Sequence, residues 1–297
     1  MVRITVFTPT YNRAATLPRV WNSLLSQTLR SFEWLVVDDG STDGTEALVG
    51  SWSSTAPFPV KYFKQANQGK HVAMNRAVRE ARGEFFIVAD SDDEFDADAL
   101  EVLTASWDSI TEDRETFVGV TARCRTQTGE FVGTPLPQPV MDTDNLEVEF
   151  RYGVTGEKWG FIKTDVLKKF PSDESPEMGA FPWARMAAAG YRTRYIDRVI
   201  RTYYVDERED SMSKVVTVKR PMTNVYRNVE TLNLAWKYFS LQKGLFVKTA
   251  LNLARFARAA GLRSGEVCRR LEHRGARWLL RAAWLPSLLW PVRKGAG

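Results

Sequence analysis

The amino-acid sequence predicts an α/β protein whose mostly parallel sheet has helices on both faces, followed by a C-terminal helical extension. Short apolar runs alternate with helical patterns along residues 1–105, and clusters of polar residues follow the ends of the apolar runs. Strands that alternate with helices of about ten residues are typical of a parallel sheet. After about Pro221 the chain becomes helical and basic. These three observations together predict the fold class.

Most strands are predicted from short apolar runs, and the helices from apolar residues that recur every three or four positions. The predicted strands are Arg3–Phe7, Phe32–Val37, Val60–Phe63, Glu84–Ala89, Thr116–Thr121 and Tyr191–Ile196. The predicted helices of this part are Ala14–Gln27, Gly44–Trp52 and His71–Arg82. No repeat or long linker interrupts them, so we expect one domain over residues 1–220 and a helical extension over 221–297.

The charge of the chain is unevenly distributed. From residue 241 onward there are 12 Lys or Arg and two Glu, whereas the preceding 240 residues carry 29 basic and 34 acidic side chains. A mildly acidic body with a strongly basic tail indicates an anionic surface as a partner of the tail alone.

The cysteines and the start of the chain indicate a reducing compartment. Cys124 and Cys268 are far apart and match no metal-binding spacing, so we expect two idle thiols. Met1 leads directly into a strand-like run, without the basic and then apolar leader of a secretory signal. The predicted location is therefore the cytoplasm, with the inner face of the membrane as a peripheral site.

A cluster of aspartates follows the strand predicted at Glu84–Ala89. Asp90-Ser91-Asp92 can present two carboxylates to one hard cation, Mg²⁺ or Mn²⁺, which substrate phosphates would then complete. The alternative is a solvated turn in which Asp96 or Asp98 caps the next helix. Several carboxylates in close sequence repel one another without a counter-cation, which favours the metal.

A second polar turn, Asp38–Gly44, follows the strand predicted at Phe32–Val37. Two glycines, Gly40 and Gly44, allow unusual backbone conformations, and Ser41 or Asp43 can cap the next helix. Turn chemistry and contact with a ligand are both compatible with this pattern. The sequence has no G-x-G-x-x-G after its first strand and no phosphate-binding G-x-x-x-x-G-K-[ST], which excludes the usual dinucleotide and P-loop classes.

Four ordered motifs resemble those of family 2 glycosyltransferases. They are Thr8-Pro9-Thr10-Tyr11-Asn12-Arg13, Val36–Thr45, Asn67-Gln68-Gly69-Lys70 with Asn75, and Gly83-Glu84 leading to Asp90-Ser91-Asp92-Asp93. The resemblance continues more loosely to about Tyr204, through Gly156-Glu157-Lys158-Trp159. It implies the Rossmann-like GT-A fold, a nucleotide-sugar donor (most often a UDP-sugar), a divalent cation and inversion at the anomeric carbon. Residues 1–105 would form the donor-binding half of the domain, and 106–220 the acceptor half.

The resemblance also assigns roles to individual residues. Thr8, Pro9 and Tyr11 would line the base pocket, and Asp39 would hydrogen-bond the base. Asp90 would contact the ribose or the metal, Asp92 would be the principal metal ligand, and Lys70 would face a phosphate. An exposed lysine at a helix start is the alternative for Lys70.

The catalytic base is where the sequence departs from the family's pattern. The family usually has an acidic pair a few residues before a helical tryptophan, and counting back from Trp183 the expected positions hold Met178 and Gly179. We choose Glu177 as the base, with Glu174 as the runner-up. An ordinary surface carboxylate is the alternative for Glu177.

The basic tail has two amphipathic segments, Leu245–Arg258 and Ser264–Leu285. In the second, an arginine stripe lies opposite an apolar one that includes Trp278 and Leu285. No apolar run reaches the roughly 20 residues that span a bilayer. We therefore expect residues 245–290 to lie on an anionic membrane surface. The alternative is that the apolar faces pack on the catalytic domain.

The sequence thus predicts an inverting, metal-assisted glycosyltransferase with a saccharide or lipid-linked acceptor, in cell-envelope or polysaccharide synthesis. A nucleotidyltransferase also uses aspartates and Mg²⁺, but Thr8–Arg13 has no glycine for its usual loop. The other rivals are a catalytically inactive sugar-nucleotide-binding scaffold and a nucleic-acid-binding protein. The last leaves the aspartates unexplained, so no nucleic acid is expected as a partner.

Overall fold

The computed structural model describes residues 2–174, 182–204 and 221–289, and these divide into two compact units. The first unit comprises residues 2–173 and 182–204, and the second comprises Glu174 and residues 221–289. The domain boundary predicted after residue 220 lies at the end of the segment 205–220, which is outside the described residues.

The first unit is built on a mixed sheet. Its strands are β1 (Ile4–Thr10), β2 (Phe32–Asp38), β3 (Val60–Lys64), β4 (Phe85–Val88), β5 (Glu94–Phe95), β6 (Phe117–Thr126), β7 (Val140–Thr143), β8 (Lys158–Lys163) and β9 (Arg192–Tyr203). They are ordered β3-β2-β1-β4-β8-β6-β9-β5, and β7 also pairs with β9. The strands β1 to β4 are mutually parallel, whereas β8 runs antiparallel to β4 and β6. The predicted parallel sheet is thus confirmed for the N-terminal half, and the second half is mixed.

Seven helices of the described chain cover this sheet. They are α1 (Pro18–Ser26), α2 (Thr45–Ser53), α3 (Lys70–Glu80), α4 (Ala99–Asp108), α5 (Asn145–Phe150), α6 (Thr164–Lys169) and α7 (Trp183–Ala188). The helix predicted from Ala14 begins only at Pro18, because the fixed φ and missing N–H of proline suit the first turn of a helix. The preceding residues form a turn in which the Leu17 N–H donates to the Arg13 carbonyl.

The strand residues alternate between two hydrophobic cores, one on each face of the sheet. In β2, Trp34 and Val36 lie in the core that contains the apolar side of α1 and α4, whereas Leu35 and Val37 lie in the core that contains the apolar side of α3. This period of two is the geometry of a strand buried on both faces. The predicted α/β class with helices on both faces is confirmed.

The second unit is helical within its described residues. Its helices are α8 (Pro221–Leu234), α9 (Lys243–Ala259), α10 (Ser264–Arg269) and α11 (Arg274–Trp284), followed by a 3₁₀ turn at Pro286–Leu289. The core is formed largely by α9, whose Phe246, Ala250 and Leu253 are fully buried. The helix predicted at Leu245–Arg258 is therefore present as α9. No described helix is long and apolar enough to cross a bilayer.

The single helix predicted over Ser264–Leu285 is wrong, because the chain breaks between α10 and α11. Asn233 of α8 takes over the backbone groups at the break: its Nδ2 donates to the Arg270 carbonyl at 3.0 Å, and its Oδ1 accepts from the Glu272 N–H at 3.0 Å. Leu271, between them, is fully buried. A side chain distant in sequence thus replaces helical hydrogen bonds, which local periodicity does not reveal.

Candidate active site

The polar clusters found in the sequence meet at one edge of the sheet. Thr10, the last residue of β1, pairs with Asp38, the last residue of β2, and the Asp39 N–H donates to the Thr10 carbonyl at 2.8 Å. The neighbouring strand β4 is parallel to β1 and ends just before Asp90. Ligands of open α/β sheets bind at this carboxyl edge, so the parallel pairing places the predicted motifs where a ligand would lie.

The first two motifs are tied together by direct hydrogen bonds. The Asn12 N–H donates to Ser41 Oγ, and the Thr42 N–H donates to Asn12 Oδ1, both at 2.8 Å. Asn12 has a φ of 52°, in the left-handed region that asparagine tolerates. Asp43 Oδ1 accepts from the Thr45 N–H at 3.0 Å, but Gly44 is the N-cap residue of the next helix and no side chain caps it, so the predicted capping by Ser41 or Asp43 is not present.

The Asp38 and Asp39 carboxylates hold the turns of this edge in place through hydrogen bonds. Asp38 is fully buried and accepts from the Ser41 N–H at 2.7 Å and from Tyr62 Oη at 2.5 Å. Burial and the Asp38 carboxylate raise the pKa of Tyr62, which keeps its phenol protonated as a donor. Asp39 accepts from Gln65 Nε2, the Gln68 N–H and the Gly69 N–H at 2.9, 3.0 and 2.7 Å. Its carboxylate therefore fixes the turn that leads into α3.

The residues assigned to a base pocket differ in exposure. Tyr11 is 48% exposed and Pro9 is half-buried. Thr8 is fully buried, and its hydroxyl accepts a hydrogen bond of 2.9 Å from the Trp34 indole N–H. The Thr8 side chain thus lies in the core and has no exposed surface that could contact a base. Its contact with a base stays a prediction.

The D-x-D segment carries one paired and one open carboxylate. Lys70, the first residue of α3, donates to Asp90 Oδ1 at 2.5 Å. Partial desolvation opposes ionisation of Asp90, but the Lys70 and Arg201 cations hold its pKa below the usual value. For Asp92, desolvation and the Asp90 charge raise the pKa, against the effect of Arg13. Of these two carboxylates, Asp92 is therefore the one that would gain more from an added cation.

The alternative that this segment only caps a helix finds limited support. Asp98 occupies the position before α4, but its side chain makes no capping hydrogen bond and pairs with Arg198 at 3.0 Å. Asp96 forms a bidentate ion pair with Arg125. Neither pairing involves Asp90 or Asp92, so helix capping does not account for them.

The sequence analysis missed Arg201, which organises the acidic cluster from β9. Its guanidinium lies 2.7 Å from Asp93 Oδ1, 3.2 Å from Glu157 Oε1 and 3.8 Å from Asp90 Oδ2. Asp93 Oδ2 in turn accepts from the Asp90 N–H at 2.9 Å. Burial and the charges of Asp90 and Asp92 raise the pKa of Asp93 to about 7, against the lowering effect of Arg201. β9 contains four arginines, and nothing in the sequence distinguishes Arg201 from Arg192, Arg194 and Arg198.

A divalent cation fits this cluster in a specific way. No group of three or more His, Cys, Asp or Glu side chains is arranged as a complete metal site in the part of the chain that is described. Two carboxylates completed by water and phosphate oxygens are, however, a common donor set for Mg²⁺ and Mn²⁺. The raised pKa of Asp92 is the observation that fits such a cation, since a positive charge there would offset the desolvation cost.

Of the two candidates for the catalytic base, Glu174 lies within the described residues. Glu177 lies outside the described residues, and Glu174, the runner-up, is an exposed residue at the end of the described range. Trp183 begins α7, as the expected helical tryptophan should. The assignment of a base stays a prediction.

Comparisons with known proteins identify relatives of this chain. Residues 5–156 match the sequence model of the family Glycosyl transferase family 2. A cholesterol galactosyltransferase of Borreliella burgdorferi is 33% identical over 101 residues, which are 34% of this chain and 28% of that protein. The matched segments span 16% to 29% of the length of this relative and of three uncharacterized glycosyltransferases from Rickettsia and Nostoc.

Solved structures share the fold. The S. aureus protein TarS (residues 1-349, in complex with UDP-GlcNAc) superposes with a TM-score of 0.65 at 19% identity, covering 96% of this chain and 89% of TarS. The mannosyltransferase PcManGT from Pyrobaculum calidifontis, in complex with GDP-Man and Mn²⁺, gives 0.56 at 19% identity, covering 99% and 88%. The GT-A fold implied by the resemblance is thus confirmed. Because the family match covers about half of the chain and includes all the strand-end motifs described above, the chain belongs to glycosyl transferase family 2.

Proposed function

We propose that this protein is a metal-assisted, inverting glycosyltransferase that moves a sugar from a UDP-sugar to a saccharide or lipid-linked acceptor. The observation that carries the proposal is the D-x-D segment at the carboxyl edge of the parallel strands. There Asp90 is paired with Lys70, and Asp92 has a raised pKa. The predicted location in the cytoplasm stays a prediction.

The chain's own residues would divide the work of donor binding. Asp92 and Asp90 would hold Mn²⁺ or Mg²⁺, which when bound neutralises charge on a diphosphate leaving group. Lys70 begins α3, so its ammonium and the positive end of the helix dipole both favour a phosphate at this point. Exposed Tyr11 offers a surface for stacking on a base.

Asp39 would accept a hydrogen bond from the base at the remaining acceptor site of its carboxylate. A carboxylate offers about four acceptor sites, and three protein donors already approach Asp39. These bonds fix the orientation of the carboxylate before the nucleotide arrives, which lowers the cost of binding.

Inversion requires a carboxylate that accepts the acceptor hydroxyl proton as the oxygen attacks the anomeric carbon. We assign this step to Glu177, and to Glu174 as the runner-up. A Glu177→Gln protein that binds donor normally should lose turnover. Full turnover of that variant would rule Glu177 out, and the anomeric configuration of the product, read by NMR, tests inversion directly.

Calorimetric titration tests the donor site. UDP, GDP and dTDP are titrated with and without Mn²⁺ into the wild type and into Asp92→Ala. Asp98→Ala is the control, because Asp98 forms an exposed ion pair with Arg198. The expected result is metal-dependent binding of UDP that is lost in Asp92→Ala and kept in Asp98→Ala. Absence of nucleotide binding under every condition would refute the proposal. Donor binding without transfer would favour the inactive scaffold, and transfer of a nucleotidyl group would favour a nucleotidyltransferase.

A further inference from the structure

The last described helix exposes an apolar stripe to solvent. Trp278 and Leu285 of α11 and its following turn are 72% and 71% exposed, and Leu289 is 90% exposed. With exposed Ala282 between them, these residues follow one another at intervals of four, three and four positions. In an α-helix that spacing places Trp278, Ala282 and Leu285 along one face, and Leu289 ends the 3₁₀ turn that follows.

The stripe is not the face by which α11 joins its own unit. Ala276, Leu280 and Ala283 are the buried residues of the helix. The sequence pattern grouped Trp278 and Leu285 with Leu271, but Leu271 is fully buried whereas the other two are exposed. Trp278 and Leu285 therefore lie outside the core of the second unit. Large apolar side chains aligned on a surface indicate an interaction site.

Basic residues accompany this stripe. Arg274 lies four positions before Trp278 and Arg281 three positions after it, and both are exposed. Arg277, by contrast, is turned inward and donates to the Leu271 carbonyl at 2.7 Å. Residues 221–289 as a whole contain 12 Lys or Arg and three Asp or Glu. The charge around the stripe is thus complementary to an anionic surface.

We propose that the exposed face of α11 and its following turn docks in the plane of an anionic phospholipid surface. Trp278, Leu285 and Leu289 would enter the boundary between headgroups and acyl chains, and Arg274 and Arg281 would contact the headgroup phosphates. Tryptophan and leucine beside arginine are the composition of helices that lie in this interface. The proposal goes beyond the glycosyl transfer proposed above and does not depend on it.

Co-sedimentation of the full chain with vesicles tests the docking. Vesicles of phosphatidylcholine alone are compared with vesicles in which about a third of the lipid is phosphatidylglycerol. The apolar variant is Leu285→Gln with Leu289→Gln, and its control is Phe131→Gln, an aromatic residue that is 64% exposed in the first unit. The charge variant is Arg274→Gln with Arg281→Gln, and its control is Arg151→Gln with Arg198→Gln, exposed arginines of the first unit.

The expected result is binding to the anionic vesicles only. The charge variant should need roughly 30-fold more lipid for half-saturation, since each basic residue near such a surface contributes about a factor of five. The apolar variant should weaken binding by at least about tenfold, and both controls should stay within about twofold. All substituted side chains are exposed, and unchanged thermal unfolding would verify that the variants fold.

Four outcomes would overturn the proposal. The first is equal binding of the wild type to neutral and anionic vesicles, and the second is unchanged binding of both variants. The third is loss of binding when residues 290–297 are removed, which would move the site to that segment. The fourth is a wild-type dimer, seen by light scattering, that the apolar variant converts to a monomer without any vesicle binding, because the stripe would then be a contact between copies. The nucleotide titration is read separately, so failure of donor binding leaves this test intact.

Discussion

Replacing Arg201 by methionine should destabilise the protein far more than replacing any exposed arginine of the same strand. The Arg201 and Asp93 side chains are only 3% and 2% exposed, and the two groups are 2.7 Å apart. Methionine keeps much of the volume of the arginine stem but leaves Asp93 buried without its cation. The expected loss follows from the buried carboxylate rather than from the missing attraction.

Removing one partner of a buried ion pair typically costs about 3–5 kcal/mol. For a unit of this size, each kcal/mol corresponds to a change in melting temperature of about 2–4 °C, so the expected decrease is roughly 6–20 °C. Arg201→Lys should fall between the wild type and Arg201→Met, because an ammonium keeps the charge but cannot reach Asp93 and Glu157 together as the guanidinium does.

Arg198 of the same strand provides the matched control. It pairs with Asp98 at 3.0 Å, but the two side chains are 58% and 40% exposed. Exposed pairs of this kind contribute about 0–1 kcal/mol, so Arg198→Met should leave the melting temperature nearly unchanged. Differential scanning calorimetry of the full-length variants measures both effects. A decrease for Arg201→Met no larger than that for Arg198→Met would refute the reasoning.

Three further predictions concern other parts of the first unit. Burial opposes ionisation of Glu33, but hydrogen bonds led by the one from Lys61 lower its pKa below 4.5. Glu33→Gln should therefore reduce the free energy of unfolding by about 1.5–3 kcal/mol near pH 7. Urea titrations should show that this loss of stability shrinks as the pH falls below 4.5. Gly119→Ala would place a Cβ 1.9 Å from a carbonyl oxygen of β8 and should lower the free energy of unfolding by more than about 3 kcal/mol. Gly50→Ala, in open space within a helix, should raise it by about 0.5–1 kcal/mol, and denaturant unfolding measures both. Lys70→Met should weaken calorimetric UDP binding by roughly tenfold or more while changing uridine binding little.

The strands and the edge of the site could be predicted because their determinants are local. The short apolar runs in β1, β2 and β4 indicate strands buried on both faces. Parallel strands put their carboxyl ends at one edge, so motifs far apart in sequence, such as Tyr11, Asp39 and Asp92, are expected near that edge without knowledge of any contact.

The remaining features depend on residues that are distant in sequence. Arg201 and Asp93 are 108 positions apart, and only the pairing of β9 with β5 and β6 brings them together. The break before α11 depends on Asn233, 37 positions before Arg270. Helical periodicity continues through that break, so the sequence pattern predicted one helix. It placed Leu271, Trp278 and Leu285 on one face, although Leu271 is buried and the other two are exposed.

The charges at the carboxyl edge explain why we expect nucleotide binding to need a metal. Within the described residues, the Asp92 carboxylate is partly desolvated and lies near the Asp90 charge, and both effects raise its pKa. A nucleoside diphosphate would add further negative charge beside it. A divalent cation held by Asp92 and Asp90 would offset that charge. Loss of Asp92 would remove the main ligand of that cation, so the metal-dependent UDP binding of the wild type would be expected to be lost in Asp92→Ala.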